Sequence, residues 1–491
     1  MVSLKNKRIN YVFIISLFLI CLSVFLILSV YWIVDYFNNP TVNQIIYHLL
    51  TPLEGTDLSI IFDFGKKCIV PIIVLVIIYI FVKIIVKKSL KKELVFSKKC
   101  NRYFLIFSLT CFFGSVYFSL DYLGLIDYYK DLKTDSLFIE NNYVNPSKVN
   151  LVFPKKKRNL IVLYLESMES SFSSVSEGGA YKYNLIPNLT AFGEDYVNFS
   201  ATDKLGGPYQ VSGTGWTTAG FVSTMAGIPI KSPFIGDEIN EHPFNYSKVS
   251  MISDILADNG YYEKLVMGST SHFGGIDLLF ENHGNFDIYD LDRFSSEDLI
   301  TEDSRSDWGL KDSFLFDYVK NDLSELSHKK EPFYYVINTI DTHTPGFVDS
   351  TCDSKYKDNY EKTINCSDDI IYEFIKSLQK QDFYKNTTIV VLGDHLTMNN
   401  DIDFGDYKRY SYNVFINSNI KASNIKNRKF SQFDLFPSML ASIGVKIEGN
   451  RLGLGVNLFS DEKTLIEEYG LDYVNDELDK NSLYYITNLL Y

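Results

Sequence analysis

Cysteine is scarce where a globular domain would use it: of six cysteines in 491 residues, only Cys352 and Cys366 lie beyond Cys111. That excludes a disulfide-built scaffold. In an oxidising compartment the two could pair, two buried free thiols being the alternative. A basic excess is lacking as well, and the net charge of −13 argues against a nucleic-acid partner, which would need a basic face. There is no internal repeat and no low-complexity tract. The start of the chain lacks both the short apolar region, about 7 to 15 residues, and the small-residue cleavage site of a secretory leader. A removable leader is therefore set aside in favour of an anchor that stays.

Apolar residues are abundant and unevenly placed. Tyr11 to Val34 is almost unbroken apolar sequence, long enough to cross a bilayer at about 1.5 Å per residue. Cys68 to Val86 and Tyr103 to Leu123 are two further candidate spans. Lys5, Lys7 and Arg8 precede the first, and Lys83, Lys87, Lys88, Lys91, Lys92, Lys98, Lys99 and Arg102 crowd the segment between the second and third. Such basic flanks face the cytoplasm. Three crossings then place everything after about residue 124 outside. The expected division is a membrane domain over 1–123, a juxtamembrane connector over 124–158 ending in Pro154-Lys155-Lys156-Lys157-Arg158, and one globular domain over 159–491.

Within that domain, apolar β-rich runs alternate with helical stretches. Strands are expected at 160–165, 264–267, 333–337, 388–392 and 412–416, with helices from 217 and near 367–379. This alternation predicts an α/β fold, a mostly parallel sheet covered by helices. The acidic tail after Asp461 reads as a surface helix without assignable chemistry.

The chemistry concentrates where strands end. Leu160 to Leu165 leads directly into Glu166, and Thr388 to Leu392 into Gly393-Asp394-His395, so carboxylates and an imidazole arrive at the carboxyl edge of a sheet, where α/β folds bind ligands. Taken alone, Glu166 could be a helix-terminal acid. Asp394 and His395 are harder to explain structurally, because ionisable groups after a buried strand need partners or a metal. Thr217 opens a predicted helix, where its ordinary role would be an N-cap; the same helix N-terminus would also suit an anion. A threonine hydroxyl becomes a useful nucleophile only when activated, for instance by a metal. Two carboxylates, one imidazole and one hydroxyl suit Mn²⁺, Mg²⁺ or Zn²⁺ rather than a soft metal. His343, in Asp341-Thr342-His343, could touch a phosphate oxygen or protonate a leaving group, a backbone-satisfied loop histidine being the alternative.

These segments, with Gly215-Trp216-Thr217-Thr218-Ala219-Gly220, Gly227-Ile228-Pro229, Trp308-Gly309-Leu310-Lys311-Asp312 and Asp434-Leu435-Phe436-Pro437-Ser438, resemble in their order the alkaline-phosphatase/sulfatase superfamily. The similarity covers roughly 159–460 and is to the membrane-anchored branch of phosphoglycerol and phosphoethanolamine transferases and lipoteichoic acid synthases. The extension Leu396-Thr397-Met398-Asn399-Asn400, the run from Phe273-Gly274-Gly275 to His283-Gly284, and a cysteine pair after the His343 loop look most like the phosphoglycerol transferase I-like part of that branch. Where lipoteichoic acid synthases grip glycerol phosphate with Trp and Arg, this chain aligns Gly274 and Ile276, and no histidine follows His395 as it does in phosphoethanolamine transferases. Thr217 also lacks the Cys/Ser-x-Pro-x-Arg context of formylglycine sulfatases.

The resemblance implies an extracytoplasmic sulfatase-like catalytic domain over 159–491, anchored in a bacterial inner membrane by three helices. It implies Glu166, Thr217, Asp394 and His395 as ligands of a divalent metal, Mn²⁺ ahead of Mg²⁺ or Zn²⁺, with Thr217 as nucleophile and His343 at the substrate phosphate. The implied activity is transfer of phosphoglycerol from the membrane lipid phosphatidylglycerol to a periplasmic glucan or other envelope glycan through a threonine-linked intermediate. A phosphoethanolamine transferase acting on lipid A or glycan, and a non-catalytic lipid- or glycan-binding sensor, are the alternatives.

Overall fold

The computed structural model describes residues 11–51, 58–90, 98–232, 246–306 and 308–490; Lys5, Lys7, Arg8, Lys91 and Lys92 of the basic flanks lie outside them. The described chain forms two compact units, one comprising 1–42 and 57–130, the other 43–56 and 131–491.

In the first unit three helices are long and apolar enough to cross a membrane: Tyr11–Tyr36, Ser59–Val86 and Lys99–Tyr122. The first and third pack through aromatic pairs, Phe13 on Phe104 and Tyr31 on Phe118, with ring centroids 5.4 and 5.7 Å apart. Ile77, Phe81, Ile84, Phe107 and Phe113 point outward and exposed, the pattern of helices solvated by lipid rather than water.

The second unit is built on a six-stranded sheet. Its strands are β1 (Asn159–Leu165), β2 (Tyr262–Met267), β3 (Phe286–Tyr289), β4 (Phe333–Asn338), β5 (Thr387–Gly393) and β6 (Asn413–Ile416), in the order β3-β2-β4-β1-β5-β6. All neighbours are parallel except β5 and β6. Central β1 is buried on both faces, so its run is continuously apolar instead of alternating. Leu160, Val162 and Tyr164 enter one core layer, Ile161, Leu163 and Leu165 the other.

Four helices matter for the site. α1 (Val42–Leu50) comes from the segment between the first two long helices, and its residues from Asn43 onward group with this second unit. α2 (Thr217–Ala226) packs Ala219, Phe221, Val222 and Met225 on the first layer. α3 (Asp312–Leu326) and α4 (Asn359–Gln379) cover the opposite face through Leu315, Phe316, Val319, Ile371, Phe374 and Ile375. Cys352, before α4, and Cys366, within it, form a disulfide. The expected α/β architecture and every expected strand are present; β3 is additional.

The tail after Asp461 is helical, but it is not merely a surface helix. α5 (Leu471–Asp479) buries Val474 and Leu478, and Tyr485, Leu489 and Leu490 beyond it are buried too. The Tyr485 hydroxyl donates to the Pro229 carbonyl at 2.7 Å, and the Asn481 carbonyl accepts from Ser136 N–H at 2.8 Å. The tail thus ties the connector to the loop that follows α2.

Candidate metal and nucleophile site

β1 and β5 run side by side with Leu165 level with Gly393, so the residues that follow them emerge together. Glu166 comes from β1; Asp394 and His395 come from β5. Gly393 allows this close passage: a Cβ there would lie 1.8 Å from the Met168 carbonyl oxygen. The carboxylates of Glu166 and Asp394 and the imidazole of His395 are all buried, with ligand atoms within 4.8 Å of one another.

Thr217 completes the cluster. Trp216, not Thr217, occupies the N-cap position of α2, and Thr217 is the first helical residue. Its hydroxyl is therefore not spent on capping. It lies 3.4 Å from Glu166 Oε2, to which it can donate, and 3.4 Å from His395 Nε2. His395 Nε2 is in turn 3.5 Å from Glu166 Oε1 and 3.4 Å from Asp394 Oδ2.

Each side chain is held from behind. Asp394 Oδ1 accepts from the backbone N–H groups of Ser167 and His395, both at 2.8 Å, and Ser167 reaches this position with φ at 53°. The Glu166 N–H donates to Thr339 Oγ1 at 3.0 Å and its Oε1 accepts from Ser167 Oγ at 2.7 Å. His395 Nδ1 is 2.9 Å from the Leu396 carbonyl, which places the ring proton on Nδ1 and leaves the Nε2 lone pair facing the acids. Asp394 Oδ2 is buried without a hydrogen-bond partner.

Burial, then the Glu166 charge, push the Asp394 pKa upward. For His395 burial acts the other way, but Asp394 and Glu166 outweigh it and raise the pKa. Negative charge thus converges on one point with an orphaned oxygen aimed at it. A divalent cation would relieve that repulsion, and the donor set of carboxylates, imidazole Nε2 and hydroxyl fits one.

The sulfatase family model matches residues 158–445 of this chain. The chain belongs to that family. Phosphoglycerol transferase I of Citrobacter koseri is 32% identical over 266 residues, which cover 52% of this chain and 33% of that protein, and the Salmonella typhi protein of the same name gives the same figures. The alignment spans about a third of those relatives' length. The integral membrane protein lipooligosaccharide phosphoethanolamine transferase A of Neisseria meningitidis has the same fold, with TM-score 0.51 and 14% identity over 90% of this chain and 85% of that one.

In this sulfatase-family site His343 stands apart from the four-residue cluster, on the loop after β4. That loop is anchored by the Thr342 hydroxyl, which donates to the Glu166 carbonyl. The His343 ring lies 4.0 Å from that of Trp308, and its Nδ1 is 3.0 Å from the Thr344 carbonyl. Under the same loop, Asp312 Oδ1 accepts from Ile340 N–H at 2.8 Å and Asp341 Oδ2 from Asp312 N–H at 3.0 Å. Burial raises both pKa values, reinforced for Asp341 by the Asp312 charge, so this acid pair favours a retained proton.

Several supports were not singled out from sequence. Gln210 Oε1 accepts from Leu396 N–H at 2.9 Å, and Gln432 bridges the Thr214 hydroxyl and carbonyl. Arg409 pairs with buried Glu169, whose Oε1 also accepts from Thr397 N–H at 2.8 Å. Nothing local marks these as different from surface Gln, Arg and Glu. α1 carried a signal: Tyr47 and His48 sit in a short amphipathic stretch between two spans.

Proposed function

We propose that the chain is a membrane-anchored, metal-dependent phosphotransferase that moves phosphoglycerol from phosphatidylglycerol to a periplasmic glucan or other envelope glycan. The convergence of Glu166, Thr217, Asp394 and His395 is the observation that carries this reading, and the phosphoglycerol transferase I relatives support the choice of headgroup. The setting we infer is a bacterial inner membrane, with membrane residues 1–123, connector 124–158 and catalytic domain 159–491, the last outside the cytoplasm.

Glu166, Asp394, His395 and Thr217 would hold the cation, Mn²⁺ by preference, and when bound it supplies positive charge that lowers the hydroxyl pKa and offsets phosphate charge. The residues themselves do the rest. Thr217 enters as the alkoxide, its proton already lost to solvent: Oγ1 attacks phosphorus in line, the Oγ1–P bond forms as the bond from phosphorus to the diacylglycerol oxygen breaks, and the alkoxide is restored when the second half releases it. His343 gives the departing oxygen its proton. In the second half an acceptor hydroxyl loses its proton to His343 and attacks the same phosphorus, releasing Thr217. Backbone N–H groups in the first turn of α2 face the phosphoryl oxygens, as unpaired groups at a helix N-terminus do.

The test is diacylglycerol release by the full-length chain in vesicles containing phosphatidylglycerol. Thr217→Ala should lower the rate by at least about 10³-fold with an unchanged thermal midpoint, and mass spectrometry of the wild type should find glycerophosphate on Thr217. An active Thr217→Ala variant would sink the nucleophile assignment. Consumption of phosphatidylethanolamine instead would move the chain to the phosphoethanolamine transferases.

A further inference from the structure

The segment between the first two spans reaches the edge of the cluster. Ser232 N–H donates to Asn43 Oδ1 at 2.6 Å, and the Tyr47 hydroxyl donates to the Gly274 carbonyl at 2.6 Å. That carbonyl also accepts from Thr218, the neighbour of Thr217, at 3.2 Å. Gly274 is held at φ 65°, and a Cβ there would lie 2.9 Å from Thr218 Oγ1, so backbone alone fits at this contact. The space beside it is filled by α1: Tyr47 packs on Trp216 with ring centroids 5.2 Å apart, and His48 lies between Trp216 at 6.2 Å and Phe273 at 6.0 Å.

His48 is thus seated against the residue that precedes Thr217. Burial, then the nearby His395, hold its pKa down to about 4, so it is a neutral imidazole that donates from one ring nitrogen and accepts at the other. That chemistry matches a hydroxyl. α1 reads VNQIIYHLL and brings no carboxylate that could neutralise an ammonium group, and Asp277, whose charge reaches Tyr47, is already paired with His272 Nδ1 at 2.5 Å. Resting on the phosphotransferase reading above, we propose that His48 contacts the hydroxylated headgroup of the glycerolipid donor, so that the linker between two spans completes the substrate site in cis.

The experiment uses the full-length chain in vesicles of phosphatidylglycerol or phosphatidylethanolamine. His48→Leu keeps apolar packing but removes both hydrogen-bonding nitrogens; it should raise KM for phosphatidylglycerol about tenfold, the loss of one useful hydrogen bond, with little change in kcat. The preference for phosphatidylglycerol over phosphatidylethanolamine should fall with it, and His48→Gln should recover most of both. Equal KM and equal preference in wild type and His48→Leu would overturn the assignment while leaving the phosphotransferase reading intact. A matched loss of kcat and thermal midpoint in both variants, with KM unmoved, would also overturn it, reducing His48 to packing. If wild type consumes neither lipid, the underlying reading falls and this one with it.

Discussion

At the scale of single residues, the second unit hides carboxyl groups that cannot all be charged at once. Glu263 on β2 is the clearest outside the candidate site. It is buried, one oxygen accepts from Asn285 N–H at 2.7 Å, and the other has no partner. Burial pushes its pKa up to about 8, with the Asn285 N–H opposing and the Asp254 charge adding. The folded state therefore keeps a proton that the unfolded chain gives up near pH 4.3. The stabilisation associated with that proton is complete below the unfolded pKa and is lost as pH rises towards about 8, at no more than about 1.4 kcal/mol per pH unit. Glu263→Gln should remove this slope, leaving a variant relatively more stable at pH 8 than at pH 5. Urea unfolding at both pH values would check it, and an unaltered pH dependence would show that Glu263 is ionised in the fold.

At the scale of elements, the site depends on how closely α2 approaches the end of β5. Gly220 makes that approach possible: a Cβ at this position would lie 2.6 Å from the Asp394 carbonyl oxygen. Ala is worth about 1 kcal/mol more than Gly in a helix interior, so propensity alone predicts that Gly220→Ala stabilises. Packing predicts the reverse, with α2 pushed away from Asp394 and Thr217 carried with it. We expect lower thermal stability and a fall in turnover of about 10²-fold, the scale of a misplacement near 1 Å; a more stable, fully active variant would refute this. Sequence patterning made the central strands legible because β1, β4 and β5 are apolar without interruption. It missed β3, whose four residues are all half-buried and include Asp287. It placed Thr217 at a helix start, yet could not tell cap from first residue, since that difference is one residue of backbone geometry. The convergence of Glu166 with Asp394 and His395 was expected from strand ends, whereas the supports from Gln210, Gln432 and Arg409 depend on tertiary packing that carries no local pattern.

At the scale of the whole molecule, the proposed reaction requires that the site and the basic flanks lie on opposite sides of a membrane. Among the described residues three helices satisfy the length and composition needed to cross, and three crossings would put the segment before the first and the second unit on opposite sides. Lys83, Lys88, Lys99 and Arg102 mark one side. The disulfide between Cys352 and Cys366 fits the other being oxidising. The two sides can be read out with thiols. Cys100 is exposed at the start of the third span, and Lys463 is exposed on the second unit. A membrane-impermeant maleimide added to intact spheroplasts should label a Lys463→Cys variant at once, but Cys100 only after the membrane is opened. Labelling of Cys100 from outside, with position 463 protected, would invert the topology. It would also remove the second unit from any periplasmic acceptor, because a glycan hydroxyl confined to the far side could not reach Thr217.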